Sequence, residues 1–193
     1  MPYPKCQFPP RRGPAAWLLL LCLVLSSPLK ADFLVQSGQT NLEPGGLVNT
    51  IRSSLSLSDE VTEALNSGIE LHMVFQFRLF RIRPFIWDDR LGEWNVGYRL
   101  KYHALSAGYV LLNETNEELE TFLSIRDAME SLQNLTIRLP VITETLPETE
   151  HGYRMSLRIL MNTEMLPSPL KLVTEISGAW KLDSEWAQWT VED

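Results

Sequence analysis

Three histidines, His72, His103 and His151, are the side chains through which a hydrolytic mechanism would have to run. Neither cysteine lies beyond residue 22, and no serine sits in a Gly-x-Ser-x-Gly elbow. A hydrolase would therefore have to assemble Ser, His and Asp from scattered positions. His72 and His103 both fall on the polar phase of alternating segments, where the plainer reading is a half-exposed sheet residue; His151 falls in a loop. The histidines lack metal-ligand spacing and come with no thiolates, so there is no zinc signature. Asp88, Asp89 and Glu93 surround a turn and could attract a hard cation, although calcium demands a larger ligand set. No acid occupies an apolar position that would raise its pKa, so paired-carboxylate chemistry has no candidate. The expectation is a protein without catalytic residues, metal or cofactor.

The remaining chemistry is cationic. Arg78, Arg99, Lys101, Arg154 and Arg158 all project opposite the apolar side of the strongest strand patterns, and His103 extends the same row. If those strands share a sheet, the six residues form a basic face suited to a phosphate- or carboxylate-bearing ligand or an acidic partner. The plainer alternative is ordinary sheet design, in which charges on the solvent face discourage edge aggregation.

The elements that must position these residues are legible as period-two runs. Ile69, Leu71, Met73, Phe75, Phe77 and Leu79 alternate with mostly polar residues, and Trp94, Val96, Tyr98, Leu100 and Tyr102 alternate without a fault. Apolar residues change phase at Phe80 and Ile82, which predicts a bulge near Leu79 and Phe80. Turns at 88–92 and 106–108 then make a meander through Tyr109 to Asn113. Tyr153 to Met161 is a further alternating strand, and Leu170 to Ile176 is expected as another. Ser58 and Ser124 read as N-caps of two short helices, the first closed by Gly68. Asp32 to Gln36 is expected as an edge strand, Ser37 to Leu47 as loop and Pro140 to Gly152 as loop. Trp87, Trp186 and Trp189 obey no period; exposed, they would mark a binding surface or a membrane-interface contact, and the plainer expectation is that buried tryptophans tether the tail. Asn113-Glu114-Thr115 and Asn134-Leu135-Thr136 match glycosylation sequons, which matter only in a host that glycosylates.

The first 31 residues read differently. Lys5, Arg11 and Arg12 precede an uncharged apolar run from Ala15 to Ser27. Thirteen helical residues rise only ~20 Å, short of the ~30 Å hydrocarbon core, so a secretory signal cleaved near Ala31 is expected, with an uncleaved anchor as the alternative. Cleavage takes Lys5, Arg11, Arg12 and Lys30 from 17 basic side chains, leaving 13 against 24 acidic ones and a net charge of −11. It also removes Cys6 and Cys22, so the exported domain would be held by its core rather than by disulfides. An acidic exported chain is a poor nucleic-acid binder.

Leu57-Ser58, Glu63-Ala64-Leu65 with Gly68, Arg99-Leu100-Lys101-Tyr102-His103-Ala104-Leu105, Asp127-Ala128-Met129, Leu166-Pro167-Ser168-Pro169-Leu170 and Trp180-Lys181-Leu182-Asp183-Ser184-Glu185-Trp186 occur in that order. This set resembles an exported proteobacterial family of unknown function, the one numbered 4390, over roughly residues 57 to 189. The resemblance implies a Gram-negative exported protein of the periplasm or cell envelope, with no catalytic residues or cofactor to carry over. It also implies gene neighbours that include a nitrogen-regulation type membrane sensor kinase. Glu114 to Glu120 and the Ser/Gly-rich start depart from the pattern.

Together these readings predict a mostly β (α+β) chain: a leader over 1–31, an N-terminal strand and loop over 32–56, and one β-rich domain over 57–193, built as an antiparallel sandwich with two short helices. The expected function is a non-enzymatic envelope module that binds a protein or an anionic ligand, touching the membrane only through an uncleaved leader. An accessory of a membrane sensor kinase and a scattered-residue hydrolase are the alternatives.

Overall fold

In the computed structural model, residues 32–141, 145–167 and 178–192 are described. The leader expected over 1–31 and the strand expected over Leu170–Ile176 lie outside them. The described chain is mostly β. It runs β1 (Phe33–Glu43), β2 (Gly46–Leu55), α1 (Asp59–Asn66), β3 (Leu71–Arg81), β4 (Asp89–His103), β5 (Gly108–Asn113), β6 (Leu119–Phe122), α2 (Ile125–Gln133), β7 (Asn134–Pro140), β8 (Tyr153–Met161) and β9 (Ala187–Glu192).

Both helices start where their caps predict. Ser58 Oγ accepts from the Val61 amide at 3.2 Å and Ser124 Oγ from the Asp127 amide at 3.2 Å, each satisfying a donor the first turn leaves open. Val61 and Leu65 of α1, and Ala128, Met129 and Leu132 of α2, are buried on one face. The bulge falls where the phase change places it, with Leu79 opposite Gly92 and Phe80 opposite Arg90. The extra residue is Leu91 on β4, not a residue of β3.

The sandwich expectation is wrong. The nine strands form one mixed sheet in the order β6-β5-β4-β3-β8-β9-β1-β2-β7, curled into a half-barrel. A period-two strand reports that one face is covered, not whether a second sheet or the same curled sheet covers it. Here β9 pairs antiparallel with β8 and parallel with β1, through Thr40–Val191 and Asn41–Glu192, and so joins two antiparallel halves into one sheet. A single core fills the concave side, from Leu47 and Ile51 of β2 through Phe75 and Phe77 of β3 to Leu157 and Ile159 of β8.

The N-terminal region also differs from its expectation. The loop predicted over 37–47 is strand on both sides of a turn at Pro44-Gly45, and β1 is an interior strand between β9 and β2. Phe33, Leu47, Ile51 and Leu55 belong to the common core, so 32–56 is no separate segment.

Candidate functional site

The cationic row of β3, β4 and β8 stands on the outer, convex side. Pairing sets His72 opposite Arg99, Arg78 opposite Glu93 and Ser156, and Gln76 opposite Arg158, and cross-strand partners share a face. Each of the five predicted cations meets a carboxylate. Lys101 Nζ is 2.8 Å from Glu70 and Arg99 Nη1 3.7 Å from the same group. Arg99 Nε lies 2.9 Å from Glu114 Oε1, which also lies 3.3 Å from Nδ1 of His72, itself only 9% exposed. Lys101, Glu70, Arg99, Glu114 and His72 are thus one chain of contacts. The Lys101 hydrogen bond, followed by the charges of Lys101, Arg99 and His72, holds the Glu70 carboxyl below its ordinary pKa against the opposing effect of burial.

Further along the sheet Arg78 Nε is 3.4 Å from Glu93, and its guanidinium stacks 4.1 Å above the Trp186 ring. Arg154 pairs with Asp88, and Arg158 pairs with Asp183 while donating to the Ser184 carbonyl at 3.2 Å. Four of the five acids arrive from loops and flanks, Glu70 before β3, Asp88 in the β3–β4 connection, Glu114 after β5 and Asp183 before β9, while Glu93 lies on β4 opposite Arg78. His103 stands apart, its Nδ1 3.0 Å from Ser106 Oγ in the exposed β4–β5 turn.

Serine and acid are therefore found beside different histidines, Ser106 with His103 and Glu114 with His72. Of the acids around the turn, Asp88 meets Arg154, Asp89 meets Arg81 at 2.8 Å, and Glu93 meets Arg78 and Arg90. No cluster of three metal-ligating side chains occurs among the described residues.

Two further features lie outside the strand patterns, Trp87 being the only one of their residues that the sequence set apart. The first is the tip of the β3–β4 hairpin. Phe85, Ile86 and Trp87 are 104%, 61% and 91% exposed. Phe85 has φ 69°, a left-handed backbone that costs an L-residue about 1–2 kcal/mol. Arg83 holds the loop: its amide donates to Asp88 Oδ1 at 3.2 Å, and its guanidinium donates to the Trp87 carbonyl from Nε at 3.0 Å and Nη2 at 2.7 Å.

The second feature is a cleft of about 420 Å³ between β4–β6 and β7, lined also by Ser131 of α2. Val96, Tyr98 and Leu111 contribute apolar surface, and Glu118 and Glu120 border it. Glu120 pairs with Leu111, a core residue, and therefore projects from the core-facing side of the sheet. Burial, then the charges of Glu120 and Glu118, push the Tyr98 phenol up to about 12.

The chain is thus a mostly β half-barrel with two short helices, an ion-paired convex face, an exposed apolar hairpin tip and an acidic-rimmed cleft. It belongs to the family described as Domain of unknown function (DUF4390), which matches residues 30–190. That match takes in the Glu114–Glu120 segment and the start of the domain as well as the motifs from Leu57 onward. Comparison with curated proteins and with solved structures found no match. No helix among the described residues is long and apolar enough to cross a membrane.

Proposed function

We propose that the chain is an exported, non-enzymatic module of the cell envelope that binds a protein partner through the β3–β4 hairpin tip. The observation that carries this is the display of Phe85, Ile86 and Trp87 on a loop held by Arg83. Three large apolar side chains side by side in water are unfavourable unless something covers them, and a strained backbone marks a conformation the loop maintains against its local preference. Trp is also among the residues that dominate binding energy at protein interfaces. The basic residues Lys5, Arg11 and Arg12 ahead of the apolar run Ala15 to Ser27, the pattern of a secretory leader, support export.

The convex face supports an anionic ligand less well. Arg78, Arg99, Lys101, Arg154 and Arg158 are matched by Glu93, Glu114, Glu70, Asp88 and Asp183, so a phosphate or carboxylate arriving there competes with carboxylates already in place. The test is recovery of a partner from solubilised envelope by the tagged protein. F85S/W87S is expected to lose the partner while its thermal melt is unchanged, and R99E/K101E to retain it. Undiminished recovery by F85S/W87S, or loss only in R99E/K101E, would move the binding surface away from the tip.

A further inference from the structure

Among the described residues the curled sheet does not close, and its two outermost strands are β6 and β7. β7 is bonded to β2 along its whole length, from Gly46–Pro140 to Arg52–Asn134, and has no second ladder partner among the described residues. Along a strand, alternate N–H and C=O groups point to opposite neighbours, so part of the β7 backbone faces away from β2. That side borders the cleft. Leu135, Thr136, Ile137 and Arg138 all line it, and consecutive residues project to opposite faces of a sheet, so what the four share toward the cleft is the strand edge itself.

We infer that this edge is a receptor for an extended peptide from a protein partner, which adds to β7 as a further strand and carries basic side chains toward Glu118 and Glu120. This surface is distinct from the hairpin tip, and it makes its own demand on the partner. A volume of about 420 Å³ lies within the roughly 300–1,000 Å³ of ligand pockets. Main-chain bonds to an open edge give affinity without regard to sequence, and alternate side chains of the added strand supply selectivity. Val96, Tyr98 and Leu111 offer apolar surface to one set of those side chains.

Charge sets the rest. Arg138, the cation of the cleft wall, is taken up by Glu43, whereas neither Glu118 nor Glu120 meets a cation among the described residues. The Glu118 carboxylate accepts from the Asn116 side-chain amide at 3.1 Å. An incoming lysine or arginine meets two carboxylates next to apolar surface. A second copy of this chain fits less well, because its own β7 would bring Leu135, Ile137 and Leu139 already turned toward its core and an Arg138 already paired.

The experiment is selection of twelve-residue peptides from a displayed random library on the immobilised full chain, followed by amide hydrogen exchange with a selected synthetic peptide bound. Selected sequences are expected to alternate apolar residues with polar ones and to contain Lys or Arg. Their binding is expected to slow exchange in β7 and to fall at least about tenfold in E118K/E120K, and less in E118Q/E120Q. F85S/W87S is expected to bind the peptides unchanged, so this inference and the hairpin reading can fail separately. Selection of no peptide, protection elsewhere than β7, or equal binding by E118K/E120K overturns the inference. So does protection of β7 by self-association that rises with protein concentration and needs no peptide.

Discussion

Gly97 is the residue on which the outer chain of charges depends. A Cβ there would lie 2.6 Å from Glu114 Oε2, so only glycine lets this carboxylate cross β4 to reach His72 and Arg99. In G97A the end of Glu114 swings away and both contacts are lost. Because the pairs are partly exposed, unfolding by urea is expected to show a cost of no more than about 1 kcal/mol. Glu70 adds a pH dependence of known sign. Its carboxyl is held below the ordinary value of 4.5, so the stabilisation is fully present above that value and disappears as acidification passes through the folded-state pKa. Melting temperatures across the acid range are expected to fall less steeply in K101M, which removes the principal cause. Tyr98 behaves oppositely. Its phenol, raised to about 12, stays neutral in the fold while an unfolded tyrosine ionises near 10.0, so stability declines as the pH rises past 10.0. Ultraviolet titration is expected to show Tyr98 ionising at about 12, and E118Q/E120Q to lower it without restoring the ordinary value, because burial is the larger cause.

At the scale of elements, the joint between the two halves of the sheet rests on a buried polar chain. Trp189 Nε1 of β9 donates to Thr40 Oγ1 of β1 at 2.7 Å. Thr40 donates to Asn49 Oδ1 of β2 at 2.7 Å, and Asn49 Nδ2 reaches the carbonyls of Leu47 at 3.1 Å and Ile137 of β7 at 3.3 Å. Four adjacent strands are tied where β1 and β9 share only two residue pairs. T40V removes the middle of the chain and strands the Trp189 N–H and the Asn49 carbonyl. The expected loss is about 2–4 kcal/mol in chemical denaturation, and T40S is expected to restore most of it. Gly38 serves the same joint, since a Cβ there would lie 2.4 Å from the Trp189 ring. These residues also explain what the pattern of hydrophobicity could not reveal. Thr40, Asn49 and Ser53 are buried polar groups at core-facing positions, so β1 and β2 lack the alternation that makes β3, β4 and β8 plain. Asn134, Thr136 and Arg138 leave β7 only two buried positions, Ile137 and Leu139, too few to announce a strand.

For the whole molecule, alternation identified the strands of the convex face and the side of each that carries Arg78, Arg99, Lys101, Arg154 and Arg158. It could not show that acids distant in sequence, such as Glu114 and Asp183, fold back over that side, because each approaches from a connection that obeys no period. Nor could it distinguish a sandwich from a curled sheet, a choice made by β9 bridging β8 and β1. The hairpin tip was legible only in Trp87, which no period placed: a loop residue's exposure depends on what lies above it, and among the described residues nothing packs over Phe85 and Trp87. The central claim is that this tip meets a protein. A photoreactive benzophenone amino acid placed at position 87, irradiated in cells of the native host, tests it most directly. One discrete protein adduct at position 87, absent when the same group replaces Glu150 in its exposed loop, is the expected result. No adduct above that control, or adducts with lipid alone, would contradict it.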